Sequence, residues 1–147
     1  MAFVIPFDGA ARTKAALNRA SNLSESVDES LLAVTAIPDG NATYARQMGW
    51  LASDEPFNFN TVESRLRAEV NEIAPEAQFE TLQVYKRAKG SRIAKPIRKF
   101  AKEHDASMVF VGSDSAGRLV TAQSSVGGRI CTDRNYDVSI IRNRYQV

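Results

Sequence analysis

Apolar and polar residues fall in blocks along this chain, and the period changes from block to block. The run "AFVIPF" (2 to 7) is a short apolar stretch of strand type, with Pro6 near its end where a backbone donor can be spared. Asp8-Gly9 breaks it. From about Ala10 to Leu23 the period lengthens to that of a helix, and Ala16, Ala20, Leu23 and Val27 are spaced to share one face. "SLLAVTAIP" (30 to 38) is a second continuous apolar run, closed by Pro38-Asp39-Gly40. Between Asn41 and Asn60 no clean period holds. Gly49 and Pro56 interrupt it, which predicts an irregular excursion with one helical turn around "TYARQM".

Asn60 with Glu63 three residues later has the form of a capping box, in which each side chain satisfies a free N–H of the first helical turn. Val62, Leu66, Val70 and Ile73 follow at helical spacing, and Pro75 marks the stop. "FETLQVYKR" (79 to 87) alternates as a half-buried strand does. Ile93, Ile97, Phe100 and Ala101 predict another helix, whose first turn Pro96 places only a few residues upstream. "SMVFVG" (107 to 112) is a core-style strand, residues 124 to 132 a last helix, and "DVSIIR" (137 to 142) a last strand.

Strands alternating with helices predict one parallel sheet covered on both faces, and continuous apolar runs are what doubly buried strands require. The whole chain, 1 to 147, reads as a single domain. Ligands in such sheets sit beyond the carboxyl ends of the strands, where strand order reverses. That selects Asp8 after the first strand, Ala36 near the end of the second, and the loop from Gly112.

Composition narrows the field modestly. A hydrophobic fraction of 44%, a charged fraction of 24% and a net charge of +2 are ordinary for a globular protein and give no argument for nucleic acid. The single Cys131 excludes an internal disulfide and suits a reducing compartment. The opening "MAFVIPF" is too short and uncharged for a signal peptide, and no run reaches membrane-spanning length, so a cytoplasmic protein without a membrane partner is expected.

The loop "GSDSAGR" places Gly112 and Gly117 at the spacing of a P-loop, but Arg118 and Leu119 stand where Lys and a hydroxyl residue are needed. A Walker-type site is therefore not expected, and no G-x-G-x-x-G follows any strand. Gly and Ser at a strand-to-helix junction still make a seat for an anion, or a plain connection with Ser124 as helix cap. Asp114 opposes a polyanion there, and Arg118 offsets it.

"IPFDGA" at the start, "EHDASMVFVG" running into "SDSAG", and "SSVGGRICTDRNYDVSIIR" at the end resemble the universal stress protein family over nearly the whole chain. The resemblance implies an open five-stranded sheet of order 3-2-1-4-5, of the Rossmann-like, adenine nucleotide alpha hydrolase-like type. It implies a binding site for ATP or AMP, with Mg, formed by Pro6, Asp8 and Ala36 together with a glycine pattern after the fourth strand. Gly112 matches the first glycine of that pattern, and the second falls on Ser115. The remaining two positions fall on Ser125 and Val126 by strict count, or on Ser124 and Ser125 by similarity to the usual helix start. Asp8 resembles the family's base- or ribose-side acid; by its own position it also reads as a cap for the first helix. Only one of three glycines is kept, so the phosphate seat departs from the family's.

The resemblance also implies a homodimer through the last strand, apolar at Val138, Ile140 and Ile141, which as an uncovered edge invites pairing. His104 reads as a helix end rather than a catalyst, and Cys131 as a small core residue. Arg92, Lys95, Lys99 and Lys102 line one helical face, suited to nucleic acid or an acidic partner. No aromatic residues interleave for stacking, so it reads as a solvated face and nucleic acid is not expected. There is no nucleophile-His-acid set and no paired carboxylates, and one His with one Cys makes no zinc site. Three readings of function result: a stress-response protein acting by binding adenine nucleotide, a dimeric interaction module whose site has decayed, and a slow ATP hydrolase.

Overall fold

The computed structural model describes residues 1–112, 126–131 and 133–142. In chain order its elements are β1 (Ala2–Pro6), α1 (Ala11–Val27), β2 (Ser30–Pro38), α2 (Ala42–Gln47) and α3 (Phe59–Ile73). Then come β3 (Gln78–Val84), α4 (Ser91–Glu103), β4 (Ala106–Gly112), α5 (Val126–Cys131) and β5 (Asp137–Ile141). The five strands form one sheet in the order β3-β2-β1-β4-β5, and every neighbouring pair is parallel. The expected order 3-2-1-4-5 is what the structure shows.

Period-two alternation sorts the strand side chains onto two faces. Phe3 and Ile5 of β1, Leu31 and Ala33 of β2 and Phe110 of β4 pack with Leu17 of α1 and Val62, Leu66 and Val70 of α3. Val4, Leu32, Val34, Val109 and Val111 point the other way, against Ile93, Ile97 and Phe100 of α4 and Ile130 of α5. Both faces of β1, β2 and β4 are thus sealed, which is why apolar residues fill most of their positions; the buried Thr35 hydroxyl of β2 donates to the Phe7 carbonyl.

Three local expectations are corrected. On α1, Ala16 and Ala20 are fully buried, but Leu23 and Val27 are 43% and 55% exposed. The helix holds 17 residues and β1 only five. At about 1.5 Å per helical residue and 3.3 Å per strand residue, the helix outruns β1 by roughly 9 Å. In its last turns Ser24 is still buried, while Leu23 and Val27 face solvent. The cap of α3 is Asn58, whose side chain accepts from the Thr61 N–H at 3.1 Å, and not Asn60. Glu63 instead accepts from the Thr81 hydroxyl of β3 at 2.8 Å, tying the helix to its strand. Pro96 lies in the second turn of α4, deeper than a first-turn proline.

Candidate functional site

The central strand stops short of its neighbours. β1 makes its last pair at Pro6 with Val34, while β2 runs on to Pro38. On the other side β4 continues to Gly112, past its last β1 pair at Val109. The chain leaves β1 through Phe7 and Asp8 and turns at Gly9, whose φ of +83° only glycine adopts without strain. A recess opens at the carboxyl edge, at the point where strand order reverses. It has a cavity volume of about 150 Å³ and is walled by Pro6, Asp8, Ala36 and Gly112, with Val111, Ile93, Ile97 and Ile130 behind them. Four of the expected site residues are therefore brought together. Ser115, Ser124 and Ser125 lie outside the described residues, and Val126 opens α5.

Asp8 guards the mouth and is held from both ends. Its Oδ1 accepts from the Ala10 N–H at 2.9 Å and lies 2.8 Å from the Thr13 hydroxyl, which also accepts from the Asp8 N–H at 3.3 Å. The residue at the cap position of α1 is Ala10, so Asp8 braces the turn before the helix instead of capping it. Gly112 has a packing role of its own. A Cβ built on it would lie 2.2 Å from the Arg12 carbonyl oxygen and 2.8 Å from the Thr13 nitrogen. The room that its missing side chain leaves is filled by the backbone of α1. Gly112 permits β4 to press against the first turn of that helix.

Periodicity gave no warning of the outer wall. Tyr44, Met48 and Trp50 come from the excursion between β2 and α3, folded back over the recess. Asn41 caps α2 by accepting from the Tyr44 N–H at 2.9 Å, and its amide donates to the Lys86 carbonyl at 2.7 Å. Gly49, at φ +80°, turns the chain so that the buried indole of Trp50 donates to the Asp8 carbonyl at 2.8 Å. Tyr44 meets that indole edge to face, with 5.6 Å between centroids. Arg65 fixes the segment from outside, donating to the Trp50 carbonyl at 3.0 Å and to both Glu55 oxygens at 2.8 Å. These Arg65 bonds, helped by the Ala52 N–H, pull the Glu55 carboxyl down to about 2. The signal available in the sequence was the only tryptophan of the chain, standing in an otherwise polar stretch.

Burial, and then the nearby Asp8 carboxylate, push the Tyr44 phenol above its ordinary value, so it stays a neutral hydroxyl. Behind the recess, Asp133 is 1% exposed, with Arg98 at 2.9 Å and Lys102 at 3.0 Å. Its burial works against the charged form. The Asn135 side chain and N–H, with the two cations, outweigh that and hold the carboxyl well below the usual range. That carboxylate is structural: it ties α4 to the start of the β5 arm. His104 ends α4, its Nδ1 2.9 Å from the Phe100 carbonyl, and Cys131 is half-buried with its thiol pushed up by burial. Among the described residues no group of acidic, His or Cys side chains is placed to hold a metal ion. No helix among them is long and apolar enough to cross a membrane.

The recess can therefore take a flat apolar ring and offer Asp8 to hydroxyl or amino groups at its mouth. Known proteins agree with the fold. The model of the universal stress protein family matches residues 1–125. A universal stress protein in complex with cAMP superposes with a TM-score of 0.61 at 16% identity, over 96% of this chain and 95% of that one. The universal stress protein from Archaeoglobus fulgidus in complex with dAMP gives 0.55 at 18% identity, over 96% and 97%. The universal stress protein UspA from Lactobacillus plantarum gives 0.60 at 18% identity, over 97% of each chain. No curated protein matches the sequence. These neighbours share the fold of this chain, and with a family match over residues 1–125, the chain belongs to the universal stress protein family.

Proposed function

We propose that the protein is a cytoplasmic stress-response protein that acts by binding an adenine nucleotide in the recess, the base lying between Ala36, Val111 and the Ile93–Ile97 flank of α4. The observation that carries this reading is the convergence of Pro6, Asp8, Ala36 and Gly112 at the switch point of the sheet. Two structural neighbours, described in complex with cAMP and dAMP, support the ligand class. A volume of about 150 Å³ is below the roughly 300–1,000 Å³ of drug-sized pockets. The recess accordingly takes the base, and Asp8 receives ribose hydroxyls at its rim.

Trp50 makes the test direct, because the only tryptophan lines the recess. Titrating AMP, ATP and cAMP, with and without Mg, should change its fluorescence saturably. Asp8→Asn keeps an oxygen for Ala10 and Thr13 and should weaken AMP about tenfold, the loss of one charge-assisted hydrogen bond of about 1.4 kcal/mol. A flat titration with every nucleotide would favour the reading as an interaction module, and release of ADP in the same samples would mark a hydrolase.

The second half of the proposal is a homodimer through β5. That strand ends the sheet with β4 as its neighbour. Its side chains are covered within the subunit: Ile141 is buried under α1, and Val138 and Ile140 are half-buried on the α4 and α5 side. What β5 offers a second copy is its open backbone edge, with a half-exposed apolar fringe.

A further inference from the structure

On the flank of α4 turned away from the recess, a second and larger groove of about 880 Å³ runs beside β3. β3 is the other edge of the sheet. Leu82 and Val84 remain only half-buried on that side. Val84, Ala88 and Pro96 form an apolar floor, and Tyr85, 61% exposed, stands at one end with the Arg92 guanidinium 5.9 Å above its ring. The wall is cationic. From Lys86 to Lys102 the chain holds eight of its 19 Lys and Arg and no acid, which leaves the remainder net negative.

Not all of that charge is available. Arg98 and Lys102 are held by Asp133, and Lys99 lies 3.7 Å from Glu103. Arg92 and Lys95 meet no carboxylate among the described residues, and both are exposed along the groove. A face that merely needed solvation would have no reason to keep unpaired cations beside half-exposed Val84 and Pro96.

We propose that this groove docks an acidic polypeptide segment of a partner protein, one that carries apolar side chains between its carboxylates. The apolar side chains cover the floor, and the carboxylates meet Arg92 and Lys95. Nucleic acid fits less well. A phosphate backbone gains from the cations but nothing from the floor, and Arg92 already lies over the Tyr85 face, leaving no stacking platform. The same helix thus serves two surfaces, with Ile93 and Ile97 turned to the recess and Arg92 and Lys95 to the groove.

The test is fluorescence anisotropy with the full chain and a short labelled peptide in which Glu alternates with Val. Saturable binding is expected, weakened about tenfold or more in Arg92→Glu/Lys95→Glu and by raised salt, as for contacts between exposed charges. A peptide with Ser in place of Val should bind more weakly, and AMP should not displace the first peptide. Because both substituted side chains are exposed, an unchanged melting curve will show that the double variant folds. The proposal is overturned if the Glu–Val peptide shows no saturation up to about 1 mM, the weakest affinity worth about 4 kcal/mol. It is equally overturned if the double variant binds the peptide as wild type does, or if single-stranded DNA of the same length binds more tightly than the peptide.

Discussion

Replacing Gly112 by alanine tests how the site is assembled. The added Cβ would sit 2.2 Å from the Arg12 oxygen, 2.4 Å from the Arg12 carbonyl carbon and 2.8 Å from the Thr13 nitrogen. Real Cβ contacts begin near 3.0 Å, so β4 and the first turn of α1 must separate by about 1 Å. No side chain can swing aside, because all three atoms are backbone. Overpacking of this kind costs about 1–3 kcal/mol, and a rigid helical turn puts it at the upper end, about 3 kcal/mol. With ~2–4 °C per kcal/mol for a chain of this size, the melting temperature should fall by roughly 10 °C. Urea denaturation followed by circular dichroism and by Trp50 fluorescence would measure both quantities, and the two probes should shift together. Any loss of nucleotide affinity should appear only alongside that loss of stability. A variant as stable as wild type, yet unable to bind AMP, would mean that the space belongs to the ligand and that the packing argument is wrong.

Asp133→Asn should destabilise the fold at neutral pH by about 2 kcal/mol, less than a fully enclosed ion pair because Arg98 and Lys102 reach solvent. Since the folded carboxyl is held below its ordinary value, its contribution is complete above about pH 4. It fades as pH falls further, so wild type and variant should converge in acid; a gap that persists unchanged at low pH would contradict this. Asn58→Ala should cost about 1 kcal/mol of stability and Asn60→Ala within about 0.5, and the reverse order would restore Asn60 as the cap. Light scattering at micromolar concentration should give twice the monomer mass, and Ile140→Pro, which removes a backbone donor from β5, should halve it. A wild-type monomer would end the dimer proposal, and a variant still dimeric would move the interface elsewhere.

The sheet was legible because doubly buried strands must be apolar at successive positions, and nothing else in the chain shares that pattern. "SLLAVTAIP" coincides with β2 residue for residue for this reason. Strand order came from the family resemblance, not from periodicity. The outer wall of the recess was illegible because the excursion holding Trp50 is fixed by irregular contacts, such as indole to the Asp8 carbonyl and Arg65 to the Trp50 carbonyl. Such long-range bonds leave no period. Asp8 and Gly112 do lie at the recess, but each also has a structural role there that the sequence did not show, since a turn brace and a close backbone approach leave no mark on it. The overhang of Leu23 and Val27 escaped notice because angular spacing says which side of a helix faces inward, not where the layer under it ends.

That overhang divides α1 into two mechanical regimes. Its first turn is clamped by the Asp8–Thr13 bonds and by the approach of Gly112, whereas its C-terminal end carries Leu23 and Val27 into solvent and ends at Asp28 in a left-handed conformation. The helix behaves as a cantilever: thermal opening begins at the free end and dies out before the fixed one. Amide protons should therefore exchange in a gradient along a single helix, fast near Val27 and slow near Leu17. Fluctuation at the tip is absorbed within α1 itself, so the turn that shapes the recess keeps its geometry while the opposite pole of the molecule frays.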